Sequence, residues 1–164
     1  GLETPPVVCD LGCGDFNVGK ELVKYSKRYI AIDIVPELIE HNKKEFKKDN
    51  LEFRALDIAK DKLPSGDIVI LRQVLQHLSN AEIKRVVEKL YDYNYVILTE
   101  HLPEGDFEPN KDIISGQGIR LKKQSGVSLS VSPFNFKVKE EKQLLSVPSP
   151  GFKGVLVTTL YKLR

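Results

Sequence analysis

Short apolar runs alternate with segments of helical period through the first hundred residues. Val7 to Leu11 is an apolar run that ends among glycines, and Val18, Leu22, Val23 and Tyr25 then recur at roughly helical spacing, which predicts a helix over Val18 to Tyr25. Tyr29 to Ile34 reads as the second strand. Pro36 opens the next helix, where its fixed φ and missing N–H cost nothing, with Leu38, Ile39 and Phe46 on the inner side. Leu51 to Leu56 is a third strand, and "DIVIL", Asp67 to Leu71, is a fourth that is apolar on both faces, as a buried parallel strand is. "SNAE", Ser79 to Glu82, has the form of a capping box, with the Ser79 hydroxyl accepting from the Glu82 N–H and the Glu82 carboxylate reaching back. The helix it starts turns Ile83, Val86, Val87 and Leu90 inward, and Tyr95 to Thr99 supplies the fifth strand.

The rhythm stops there. From Glu100 to Lys139 the chain is rich in Gly, Ser, Pro and charge without a sustained period, which is long for a structureless connection and marks the segment as functional or disordered. Gln143 to Val147 and Gly154 to Leu163 resume as apolar-rich runs around "PSPGFKG", the pattern of a hairpin and an antiparallel pair. Five βα repeats followed by a hairpin predict an α/β fold, a mainly parallel sheet with helices on both faces.

Composition narrows the functional classes. A chain of 164 residues with 41% hydrophobic residues suits one domain, 1–164, around a single core. A net charge of +2, from 25 basic and 23 acidic residues, gives no electrostatic case for a nucleic-acid partner. The lysines of "NKKEFKKDN" read as a solvated helix face. Cys9 and Cys13 lie too close for a framework disulfide and lack the partners of a zinc site, so no metal is expected and a reducing, cytoplasmic setting is. No apolar run has the length of a membrane span, so no membrane partner is expected. The sequence holds no methionine and enters its first strand almost at once, which suggests a trimmed N-terminus.

Candidate chemistry begins at "DLGCGDF", Asp10 to Phe16. A strand ending in Gly12 and Gly14 lets backbone approach a ligand closely, and the helix that follows is expected to present free N–H groups. A dinucleotide fingerprint would need glycine at position 17, which is Asn17. Asp33 closes "YIAID" about twenty residues on, placed either to accept both hydroxyls of a ribose or to cap the Pro36 helix. Asp57 ends the third strand, positioned to accept from an adenine amino group with Ile58 and Ile34 beside the ring, or to sit in a solvent-facing turn.

Asp10-x-Gly12-x-Gly14, then Asp33, then Asp57, together with "SGDIVILRQVLQHLS" and the terminal hairpin, resembles the class I S-adenosylmethionine-dependent methyltransferases over nearly the whole chain. The resemblance implies a Rossmann-like seven-stranded sheet in the order 3-2-1-4-5-7-6 with strand 7 antiparallel. It implies S-adenosylmethionine as cofactor: Gly12 and Gly14 at its methionine part with Asp10 supporting the turn, Asp33 at the ribose, Asp57 with Ile58 and Ile34 at the adenine, and Arg72 and Gln73 near the sulfonium. Phe16 departs from the family pattern, which often has glycine there, and either walls the pocket or packs under the next helix.

Methyl transfer needs alignment of the acceptor and exclusion of water more than a dedicated base. For a hydroxyl acceptor, His101, just past the fifth strand at the sheet's carboxyl edge, is the candidate base. His77 lies near the same edge, and Asn110, Asp112 and Arg120 in the irregular segment are candidates for orienting a small polar acceptor. No N/D-P-P-F/Y turn follows the fourth strand, no cysteine lies near the acceptor side, and no aspartate ends the fourth strand, so nucleobase-amine, cytosine-C5 and metal-assisted catechol acceptors are disfavoured. A small-molecule acceptor, O- or N-methylated, remains. The rival is a cofactor-binding but non-catalytic module. An NAD-dependent oxidoreductase would want a Tyr-x-x-x-Lys pair, and "YDYNY" supplies no lysine.

Overall fold

The computed structural model describes residues 2–164. Seven strands, β1 (Val7–Leu11), β2 (Arg28–Asp33), β3 (Leu51–Ala55), β4 (Ile68–Arg72), β5 (Tyr95–Leu102), β6 (Glu140–Pro148) and β7 (Val155–Lys162), form one sheet in the order β3-β2-β1-β4-β5-β7-β6. The first five pair in parallel, and β7 runs antiparallel to both of its neighbours. This is the expected order, and it follows from the βα rhythm: each crossover carries its helix back over the sheet, whereas the hairpin leaves β7 free to reverse.

The pleat sorts each strand between two cores. Cys9 and Leu11 of β1 point to one face with Ile30, Ile32, Val69 and Leu71, covered by α3 (Asn80–Leu90) through Ile83, Val86, Val87 and Leu90. Val8 points to the other with Ala31 and Ile70, covered by α1 (Gly19–Leu22) and α2 (Pro36–Glu45). The helix expected over Val18 to Tyr25 is shorter. It gives four α-helical residues and then a 3-10 turn over Val23–Tyr25, which Ser26 closes by donating its hydroxyl to Val23 O at 2.7 Å. With one turn of helix, α1 offers no N-terminal anion site. Phe46, expected on the inner face of α2, is instead the residue that ends it, in extended backbone, yet its ring still packs inward against Phe16.

The irregular segment expected from Glu100 starts later, because β5 runs on to Leu102; from there to Lys139 the one regular element is a 3-10 turn at Arg120–Lys123. Its Val127, Leu129, Phe134 and Phe136 join the α3-side core against Val96, Leu98 and Tyr161, so the segment replaces a covering helix over β5 and β7. The capping box is half as expected. Ser79 Oγ accepts from Glu82 N at 3.3 Å, but the return bond is relayed: Ser79 N donates to Ser115 Oγ at 2.7 Å and Ser115 Oγ donates to Glu82 Oε1 at 2.8 Å. A serine 36 residues away has inserted itself into the cap.

Candidate functional site

The turn after β1 is shaped by close packing. Gly12, at φ +84°, and Cys13 both donate their N–H groups to Ile32 O at 2.8 Å, and a Cβ on Gly12 would stand 2.4 Å from Val74 Cγ2. Gly14 N donates to Asp33 Oδ2 at 3.1 Å while Gly14 O accepts from Asn42 Nδ2 at 2.8 Å. Asp33 Oδ1 accepts from Val35 N at 3.1 Å, so one carboxylate ties the glycine turn to the residue that precedes α2; it makes no side-chain cap of that helix. Each of its oxygens keeps a second lone pair.

Asp10 lies beneath this turn, fully buried, with Tyr29 OH donating to Oδ2 at 2.8 Å and Oδ1 unpartnered among the described residues. Burial raises its pKa; the Tyr29 hydrogen bond and the Arg72 charge pull the other way. Asp10 does not line the cleft above it, and its side chain bonds β2 through Tyr29. Phe16 is also fully buried and meets Tyr29, Phe46 and Phe53 edge-to-face at centroid distances of 5.8, 5.2 and 4.9 Å. Its φ of +65° is the left-handed conformation that glycine adopts freely, taken here by a residue whose ring packs into an aromatic cluster. Of the two places expected for Phe16, it takes the one in the core.

Above the turn, a cleft of about 340 Å³ opens at the carboxyl ends of β1 to β4, and it brings together Gly12, Asp33, Ile34, Asp57, Ile58 and Arg72. Asp57 makes a local turn, Oδ1 accepting from Ala59 N at 2.9 Å. Ile34, 62% exposed, offers an apolar edge at the mouth. Gln73, also at a positive φ of +54°, is held by donating its N–H to Thr99 O at 2.8 Å.

Gln73 and His77 line a second cavity as well, about 870 Å³, which contains His101. His101 Nε2 stands 2.7 Å from Lys153 O. Because a carbonyl can only accept, Nε2 carries the proton and the basic lone pair of the neutral ring is on Nδ1. Gly154, at φ +95°, permits this contact: a Cβ there would lie 2.4 Å from Leu102 O and 3.1 Å from His101 Nε2. Sequence reasoning missed Gln76, which is buried, lines the same cavity, and accepts the His101 N–H on Oε1 at 2.9 Å. A lone glutamine before a histidine carries no spacing signal that would have singled it out.

Asn110, Asp112 and Arg120 line neither cavity. Asn110 donates to Ser128 O and Ser132 O at 2.8 and 2.9 Å and accepts from Ser128 N at 2.8 Å. Asp112 Oδ1 accepts from Asn80 N at 2.8 Å. Arg120, 1% exposed, donates through Nη2 to Leu78 O at 2.8 Å and to Asn80 Oδ1 at 2.7 Å. Asp112 and Arg120 hold the irregular segment against the turn at residues 76–80 and the Asn110 side chain braces the segment internally, in place of the acceptor-facing position expected of them. Under that segment Glu100 is buried with neither carboxylate oxygen hydrogen-bonded among the described residues; burial pushes it up to about 8 against the opposing charge of Arg120.

A family model described as "Methyltransferase domain" matches residues 9–93. Acetylserotonin O-methyltransferase of Homo sapiens is 30% identical over 94 residues, 55% of this chain and 27% of that protein. The Bos taurus protein is 31% identical over 91 residues, 52% of this chain and 26% of that protein. The chain thus spans about a quarter of the length of these curated relatives. Among solved structures, the N-methyltransferase NodS from Bradyrhizobium japonicum WM9 in complex with S-adenosyl-l-homocysteine superposes with a TM-score of 0.68 at 11% identity, covering 98% of this chain and 79% of that one. Human N-acetylserotonin methyltransferase in complex with SAM gives 0.66 at 19% identity, covering 97% and 48%. At these identities the superpositions speak to fold.

Proposed function

The chain belongs to the methyltransferase-domain family, and from that premise we propose that it transfers a methyl group from S-adenosylmethionine to a small-molecule acceptor, at oxygen or nitrogen. The observation that carries the reading is the pair of cavities meeting at Gln73 and His77, one lined by Gly12, Asp33 and Asp57 but not Gly14, the other by His101. The first offers the cofactor a lining of Gly12, beside Val74, and the two carboxylates of Asp33 and Asp57. Asp33 accepts from the ribose hydroxyls with the lone pairs its backbone contacts leave free, and Asp57 with Ile58 and Ile34 receives the adenine. The cofactor supplies an activated methyl on a sulfonium, which is a leaving group in itself.

The residues at the shared rim align the acceptor. Gln73 and His77 would hold the acceptor's nucleophilic atom facing the methyl group, which the cofactor would supply together with its own leaving group. Where the acceptor is a hydroxyl, its proton passes to His101 Nδ1. Gln76 holds His101 from its backbone and Lys153 O holds it from the ring. No helix among the described residues is long and apolar enough to cross a membrane, and the free, buried thiols of Cys9 and Cys13 support a cytoplasmic setting.

Calorimetric titration tests the cofactor half: S-adenosylhomocysteine binds in the micromolar range and NAD does not, and the reverse result sinks the reading. Incubation with labelled S-adenosylmethionine and a metabolite extract tests the transfer. Tight cofactor binding with no labelled product would make this a non-catalytic module.

A further inference from the structure

The cavity that contains His101 has a charge character of its own. Its lining includes two lysines, two histidines and three glutamines and no carboxylate. It continues through Leu121, Lys122 and Lys153 into an outer cleft of about 620 Å³, where Glu104 is the single acidic residue. Lys122 and Lys153 thus border both spaces. Their ammonium groups have no hydrogen-bond or ion-pair partner among the described residues. Nearby lysines of the same segment are engaged: Lys123 Nζ donates to Asp112 O at 2.7 Å, and Lys111 Nζ lies 3.6 Å from Glu108 Oε2. Ile119, Leu121, Phe152 and Leu156 give the same cavity apolar walls, alongside the lysines and the rim at Gln73 and His77.

We propose that the acceptor is an anionic small molecule with an apolar body, its acid group held by Lys122 and Lys153 and its nucleophilic atom turned to the rim at Gln73 and His77. The inference rests on the methyl-transfer reading for the identity of the cavity. A carboxylate, phosphate or sulfate placed at the lysines gains charge-assisted hydrogen bonds from donors that have no internal acceptor. An ammonium there would meet like charge, and selection by repulsion acts alongside selection by attraction. The apolar walls accommodate a ring or short chain between the two ends, as small-molecule cavities of this size do.

The test uses three phenols of similar size whose side chains end in an anion, a neutral amide and a cation: 4-hydroxyphenylacetate, 4-hydroxyphenylacetamide and tyramine. Each is titrated into the full chain by ligand-observed NMR, with and without S-adenosylhomocysteine. The expected order is anion first, by about tenfold over the amide, with tyramine weakest. Lys122→Glu combined with Lys153→Glu, both at exposed positions, abolishes or inverts that order and leaves S-adenosylhomocysteine affinity unchanged. Equal binding of the three, preference for tyramine, absence of binding by all three, or an order indifferent to the double charge reversal each overturns the proposal. Failure of S-adenosylhomocysteine to bind overturns the cofactor reading instead, since the charge order is also measured without it.

Discussion

Gln76 Oε1 accepts the backbone N–H of His101 at 2.9 Å, so one buried amide joins the turn after β4 to the end of β5. Gln76→Leu keeps the volume and removes the acceptor, leaving a buried N–H unpaired. The expected loss of stability is about 1–3 kcal/mol, read as the shift in the urea midpoint. Gln76→Glu keeps an acceptor oxygen and restores most of the loss; equal losses in both variants would show that packing alone matters there.

Asp33 reaches the glycine turn and the residue that precedes α2 with the same carboxylate. Asp33→Ala weakens S-adenosylhomocysteine binding by about 1–3 kcal/mol, the range for hydrogen bonds to a charged acceptor. Isothermal calorimetry decides it, and unchanged affinity would reduce Asp33 to its two backbone contacts.

Phe16→Gly sets two effects against each other. Glycine relieves a left-handed residue, worth about 1–2 kcal/mol, but deletes a fully buried ring that touches three others, which costs about 3–5 kcal/mol. The ring wins, and the variant is expected to unfold at lower urea. A more stable variant would show the aromatic cluster to be loosely packed.

These cases separate what the sequence discloses from what it hides. The strands were legible because parallel crossovers force apolar runs of fixed length, and β1 begins and ends where its run does. Gly12, Asp33 and Asp57 were legible because their places at strand ends bring them to one sheet edge. The role of Arg120 was not: its partners are carbonyls and an amide 40 to 44 residues away, and backbone acceptors carry no residue code. The same holds for Asn110, whose three bonds all run to main-chain atoms. Val127, Leu129, Phe134 and Phe136 were hidden for a different reason, since a covering layer without secondary structure has no period to detect.

Glu100 carries a pH signature. Its carboxyl is raised from 4.5 to about 8 by burial, with Arg120 opposing. Between those values the folded chain holds a proton that the unfolded chain has released, so stability falls as pH rises through the window and is level above it. Urea titrations at pH 5 and pH 9 should therefore show the chain weaker at the higher pH by on the order of a few kcal/mol. Glu100→Gln, neutral at both, removes that part of the difference. An identical pH difference in the variant would mean that Glu100 titrates normally.

The fastenings of the irregular segment have a temporal consequence. Asn80 bonds residue 110, Arg120 reaches back to Leu78, and Ser115 completes the cap of α3, all across more than thirty residues or close to it. Contacts of such long separation are slow to form because a large loop must close before any of them is made. During synthesis Leu78 and Asn80 therefore wait, with strands β1 to β5 already made, for the stretch that will fasten to them. A chain caught before that moment holds the residues of the cleft at Gly12, Asp33 and Asp57, while the cavity at His101 still lacks the wall that Gln117, Ile119 and Lys122 will give it.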